Sequence, residues 1–112
     1  MATEEDVRRL AMALPEVAEK PSYGTPGFRV KDTLFARIHQ DGGVVVLWTA
    51  GLLDKESFID SEPDVFFTTS HYDGYPLVLV RLDRVDVARL RELLEMAWRV
   101  RAPARLHAQL GE

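Results

Sequence analysis

Turn residues interrupt the first half of this chain so often that its extended segments can pair only with their neighbours in sequence. Pro21, Gly24, Pro26 and Gly27 come first, then Lys31-Asp32, then Asp41-Gly42-Gly43. A parallel pair of strands needs a crossover of about a dozen residues or more, whereas two residues close an antiparallel hairpin. Connections this short predict antiparallel pairing and an α+β class, not βαβ units. Phe28 to Val30 reads as a short strand and Leu34 to His39 as a second. In the second, Leu34, Ala36 and Ile38 alternate with Phe35, Arg37 and His39 on the other face. Asp41-Gly42-Gly43 is the strongest hairpin signal, because glycine reaches positive φ without steric cost. Val44 to Trp48 is an uninterrupted apolar run, which fits a central strand covered on both faces. Val65 to Thr69 and Leu77 to Leu82 bring the expected sheet to about five strands. Glu16 to Gly27, dense in turn signals, reads as a long loop.

Two helical patterns bracket these strands. From Thr3 to Leu14, Val7, Leu10, Ala11 and Leu14 form one apolar stripe. Thr3 is placed to cap the amide of Asp6, and Pro15 stops the helix. Near the other end Asp86 caps the longest helix, along which Val87, Leu90, Leu93, Leu94, Ala97 and Trp98 recur at helical spacing. Pro103 breaks it, and Ala104 to Leu110 can form a last short helix. Between the strands, Ala50 to Asp64 holds five acids and one lysine, with Leu52, Leu53, Phe58 and Ile59 as a short helix face. At 112 residues the chain makes one domain, 1–112, with the helices mainly on one face of the sheet.

Composition removes several classes of chemistry. With no cysteine, disulfides, thiolate catalysis, zinc fingers and iron–sulfur clusters are excluded together. No histidine motif of metal-binding spacing and no glycine-rich phosphate loop is present, so no metal and no cofactor is expected. The acidic opening MATEEDVRRL lacks the apolar core of a secretory signal, and no run approaches roughly 18 apolar residues, so the expected setting is cytoplasmic without a membrane span. Fourteen Lys and Arg against 18 Asp and Glu give a net charge of −4, which works against broad affinity for nucleic acid.

Three groups of residues could carry function. Ser70, His71 and Asp73 resemble a triad in composition, but neighbours on a strand point to opposite faces and cannot align. If that stretch is extended, His71 and Asp73 share a face and could do acid–base work; alternatively Asp73-Gly74 is a β-turn around which Tyr72, Tyr75 and Pro76 pack. In the Glu19 to Arg29 loop, Lys20, Tyr23 and Arg29 could hold an anion, or Tyr23 and Phe28 could pin the loop to the core. From Met96 to Gly111 the chain carries Arg99, Arg101, Arg105 and His107 and no acid. These arginines could meet phosphate beside Trp98, or complement the dipole of the helix end while Trp98 fills the core.

Several short motifs, in order, resemble the MmcQ/YjbR-like family of small bacterial proteins. They are Ala13-Leu14-Pro15, Glu19-Lys20-Pro21, Gly24-x-Pro26-x-Phe28-Arg29-Val30, His71 to Pro76 with Val78-Leu79-Val80, and Asp86 to Leu90 with Leu93-Leu94 and Ala97-Trp98-Arg99-x-Arg101-Ala102-Pro103. The resemblance spans nearly the whole chain, Ala50 to Asp64 being the least similar part. It implies a curved antiparallel sheet with helices packed against it, similar to secretion-chaperone and frataxin-like architectures. It also implies DNA binding through paired hairpin wings, and it brings no catalytic residue set. The expectation is a weak, electrostatic DNA-binding module using Lys20, Arg29, Arg99, Arg101 and Arg105. The alternative is a module for a small anionic ligand or a protein partner. Its cleft would lie between the Lys20 to Arg29 loop and the His71 to Pro76 turn, with Tyr23, Phe28, His71, Tyr72, Asp73 and Tyr75 as its lining.

Overall fold

In a computed structural model, which describes residues 1–110, both long helices start at the caps their sequence specifies; Gly111 and Glu112 of the expected domain lie outside the described residues. Helix α1 (Glu4–Met12) opens on a capping box: the Asp6 amide donates to Thr3 Oγ1 at 3.1 Å, and the Thr3 amide donates to Asp6 Oδ2 at 2.9 Å. The C-terminal helix, Val87–Arg101, opens with the Arg89 amide donating to Asp86 Oδ1 at 2.7 Å. The chain between them forms β1 (Val17–Ser22), β2 (Thr25–Val30), β3 (Thr33–Ile38), β4 (Val44–Trp48), α2 (Leu52–Ser61), β5 (Phe66–Phe67) and β6 (Leu77–Arg81), which makes the C-terminal helix α3. Single 3-10 segments occupy Ser70–Tyr72, Leu82–Arg84 and Ala104–Leu110. The strands form one antiparallel sheet in the order β1-β2-β3-β4-β6-β5, so β4 is internal, as its apolar run required.

The class is the α+β expected, with two corrections to the sheet. The stretch from Glu16 to Gly27 is not a loop but largely a hairpin, and β1 is a sixth strand. Its prolines hid it. Pro21 stands opposite Pro26, one position beyond the Ser22–Thr25 pair that closes the turn. Antiparallel pairs alternate between hydrogen-bonded and non-bonded, and a proline pair fits the second kind because neither amide is needed. The second correction is on β3. The register shifts between Phe28 and Arg29, so that Ala36 faces Phe28 but Leu34 faces Arg29, leaving Phe35 as an inserted residue. Such a bulge breaks the two-residue alternation. Phe35 therefore joins Ala36 and Ile38 in the core, while Leu34 moves to the same face as Arg37.

Helices α1 and α3 cover one face. Val7, Leu10, Leu90, Leu94 and Trp98 interlock there with Phe28, Val30, Phe35, Val45, Leu47 and Val80. Each such large side chain contributes roughly 1.5–3 kcal/mol on burial. Trp98 is 0% exposed, and its indole N–H donates to the Pro15 carbonyl at 3.0 Å, tying the end of α1 to α3. On the opposite face, Val46 and Leu79 pack with Tyr72 in a smaller cluster, beside Val44, Phe67 and Leu77. Tyr72, from the Ser70 to Pro76 segment, covers part of that side.

Candidate functional site

A cavity of about 410 Å³ opens on this second face. Its floor is the sheet: Leu34 and Arg37 from β3, Val46 and Trp48 from β4, and Leu77 from β6. The register places Arg37 opposite Val46 and Trp48 opposite Leu77, which puts all four on one face. Tyr23 forms one wall; His71, Tyr72 and Tyr75 form the other.

Tyr23 is there because of a strained turn. The β1–β2 connection has two residues, and a type I′ turn of that length needs positive φ at both. Gly24 sits at +80° without difficulty, but Tyr23 is held at +53°, a conformation that costs an L-residue with a Cβ roughly 1–2 kcal/mol. The side chain is 87% exposed, so core packing does not account for a tyrosine at this position. Its ring centroid lies 5.3 Å from the Arg37 guanidinium carbon.

The opposite wall is a turn clamped from behind. After the 3-10 segment at Ser70–Tyr72, Asp73 at φ −60°, ψ 136° and Gly74 at φ +82° make a type II turn, closed by the Tyr75 amide donating to the Tyr72 carbonyl at 3.1 Å. The Asp73-Gly74 turn thus forms, and the extended conformation that would set His71 and Asp73 on one face does not. Among the described residues no hydrogen bond joins these two: Asp73 accepts from Thr68 Oγ1 at 3.5 Å, and the His71 ring meets Tyr72 edge-on at 4.9 Å. Lys55 of α2, 5% exposed, donates to the carbonyls of Tyr72 at 2.6 Å and Tyr75 at 2.9 Å. Burial lowers the pKa of this ammonium, and the Asp73 charge opposes the shift. Nothing in the sequence signalled this clamp, since Lys55 lies in the most acidic stretch and its acceptors are backbone atoms beyond the next strand.

Arg37 is the second residue that sequence reasoning passed over. It is 6% exposed and donates to Thr25 Oγ1 (3.2 Å), the Ile38 carbonyl (3.2 Å), Gln40 Oε1 (3.4 Å) and the Tyr72 hydroxyl. Every one of these acceptors is neutral, and among the described residues no carboxylate pairs with it. Among the described residues the cavity lining contains no Asp or Glu. A guanidinium out of water without a counter-ion is costly, and on a chain of net charge −4 acids are not in short supply.

The other expected site residues are dispersed. Phe28 is buried in the helix-side core and does not reach the cavity. Lys20 pairs with Asp32 at 3.2 Å, and Arg29 donates to the Asp32 carbonyl at 3.3 Å. Arg101 lies 4.4 Å over the Trp48 ring and donates through Nε to the Leu34 carbonyl at 3.0 Å; burial lowers its pKa. It thus contacts two floor residues of the cavity. Arg105 is exposed and, behind the stronger ion pair from Lys31, helps hold Glu16 below the usual carboxylate range. Arg99 is partly buried on α3. Among the described residues no group of three or more His, Asp and Glu could hold a metal ion, and no helix is long and apolar enough to cross a membrane.

Comparisons with known proteins agree with this architecture. The family model YjbR matches residues 12–100. The chain is 36% identical over 123 residues to the uncharacterized proteins Rv2570 of Mycobacterium tuberculosis and Mb2600 of Mycobacterium bovis, in alignments covering 95% of this chain and 93% of each relative. Its structure is similar to the crystal structure of Deinococcus radiodurans protein DR2400, which carries the domain DUF419. The TM-score is 0.73 at 25% identity, over 88% of this chain and 77% of that one.

Proposed function

The chain belongs to the YjbR family, and from that premise we propose that it is a binding module whose site is the aromatic cavity on the sheet face away from α1 and α3. The reading takes a small molecule, not a nucleic acid, as the occupant. One observation carries it: the hairpin tip at Tyr23 and the turn at Tyr72 to Tyr75, far apart in sequence, converge on a single cavity of about 410 Å³. Small-molecule sites fall at roughly 300–1,000 Å³ and combine apolar walls with a few polar groups. Three costly features stand at or beside this cavity, a tyrosine at positive φ, a buried lysine and a buried arginine without an acid, although Glu16, Lys31 and Asp32 also take positive φ elsewhere in the chain.

Titration of isotope-labelled protein with a small fragment library, followed by amide and side-chain chemical shifts, tests this. The expected result is a cluster of perturbations at Tyr23, Trp48, His71 and Tyr75. Perturbations scattered over the surface would overturn it. Nucleic acid has weaker support, because Lys20, Arg29 and Arg101 are each engaged within the chain. Duplex DNA titrated at about 50 and 200 mM salt should show no salt-sensitive binding at micromolar protein. Binding that weakens steeply between those two salts would replace the small-molecule reading with the DNA-binding one.

A further inference from the structure

We propose that the group recognised in this cavity is a carboxylate carried on a flat, largely apolar molecule, with Arg37 and Tyr72 as its receptors. The inference rests on reading the cavity as a ligand site. Within the lining, Arg37 supplies a permanent positive charge that the fold leaves without an acid partner. Its two terminal nitrogens donate to neutral acceptors, while its Nε–H makes no hydrogen bond among the described residues. The Tyr72 oxygen accepts from Arg37, and among the described residues the phenol proton has no acceptor of its own. A donor that is itself polarised by a cation binds an anion more strongly than an isolated phenol does. One charge and two open donors match one carboxylate with two oxygens.

The rest of the lining defines the rest of the ligand. Leu34, Val46 and Leu77 offer no hydrogen bonds, and Trp48, Tyr23 and Tyr75 present rings. Such walls favour a planar apolar body, since aromatic pairs gain both buried area and offset-stacked or edge-on contacts. A phosphate ester fits less well: a dianion with three acceptor oxygens calls for several cations or a run of backbone amides, and the lining holds one arginine. The lack of any acid in the lining rejects amines by the same logic.

The probes are benzoate, benzamide and phenyl phosphate, which share a ring and differ in the attached group. Dissociation constants are read from chemical-shift titrations of the wild-type protein and of Arg37→Met and Tyr72→Phe. Benzoate should bind at least about tenfold more tightly than benzamide, a difference of about 1.4 kcal/mol. Phenyl phosphate should bind no better than benzoate. Arg37→Met should erase the preference for benzoate, weakening benzoate far more than benzamide, and Tyr72→Phe, which keeps the ring, should reduce it. If Arg37→Met does not fold, Arg37→Lys and Tyr72→Phe carry the comparison, with a smaller preference expected in each. Equal binding of benzoate and benzamide at the cavity would overturn the carboxylate assignment and leave the cavity a ligand site. Tighter binding of phenyl phosphate would transfer the assignment to phosphate esters. No perturbation of the cavity by any of the three would overturn both readings.

Discussion

The two faces of one sheet were built to different rules. Toward α1 and α3 the side chains are apolar and interlocked, and the one polar atom of Trp98 is satisfied by the Pro15 carbonyl. Away from those helices, the same strands present Arg37, Trp48 and Leu34 to a cavity walled by tyrosines and a histidine. The first face resembles an ordinary close-packed interior, where removing atoms leaves a void that the surroundings fill only in part. The second contains groups that a core would exclude: Arg37 without an acid, and Lys55 spent on two backbone carbonyls. The difference separates a face that is closed by packing from one that holds an open cavity and buried charge.

Substitutions on each side put that contrast at risk. Trp98→Ala should produce the largest effect, a loss of about 3–5 kcal/mol in denaturant unfolding, because it empties the centre of the helix-side core and strands the Pro15 carbonyl. A loss below about 1 kcal/mol would mean that this face is not the principal core. Lys55→Met should cost about 1–3 kcal/mol by removing the ammonium donor from the Tyr75 carbonyl and leaving the Tyr72 carbonyl with the Tyr75 amide alone. Hydrogen exchange of the Tyr75 amide should accelerate more than that of amides in β4. Uniform acceleration would show that the lysine supports the whole fold and not one wall of the cavity. Tyr23→Asn should have the opposite sign, a gain of about 0.5–1 kcal/mol, since Asn tolerates the left-handed conformation that Tyr23 occupies at +53°. A destabilised Tyr23→Asn would show that the ring contributes to folding through Arg37.

The smallest effect expected is a pH dependence on the edge of the sheet. Arg8 of α1 grips Glu19 of β1 at 2.8 and 3.1 Å, and this hydrogen-bonded pairing holds the Glu19 carboxyl below its ordinary 4.5. A depressed carboxyl contributes stability that is complete above its unfolded value and is lost as the pH falls through the folded one. Glu19→Gln should therefore flatten the stability profile below about pH 4.5 and leave the cavity unchanged. An unaltered acid limb would show that the Arg8 contact adds nothing in solution.

What could be read from the sequence follows the range of the forces involved. The helices α1 and α3 announce themselves because apolar periodicity and capping are local, and Asp73-Gly74 announces its turn because glycine is required there. Strand β1 was illegible: it is an edge strand, VAEKPS, whose residues are mostly exposed, so it carries no apolar alternation, and its proline reads as a break. The bulge at Phe35 was illegible for a different reason, since an extra residue appears only when two strands are laid side by side. At the cavity, Tyr23, His71, Tyr72 and Tyr75 could be singled out as aromatic and polar residues near turns, but Asp73 and Phe28 were not separable from them by type. Arg37 and Lys55 carried no signal, for a single charged residue in a strand or a helix is normally solvated.

By itself the sequence determined the α+β class, the antiparallel pairing and the two capped helices, because each follows from interactions between residues a few positions apart or from one strong hydrophobic pattern. Only the tertiary structure decided that Leu34 leaves the core, that the Tyr23 turn and the Tyr72 turn face each other, and that two charges are buried behind and beneath them. Those outcomes depend on register and on contacts between distant segments, and a charge becomes exceptional only once the water around it is gone.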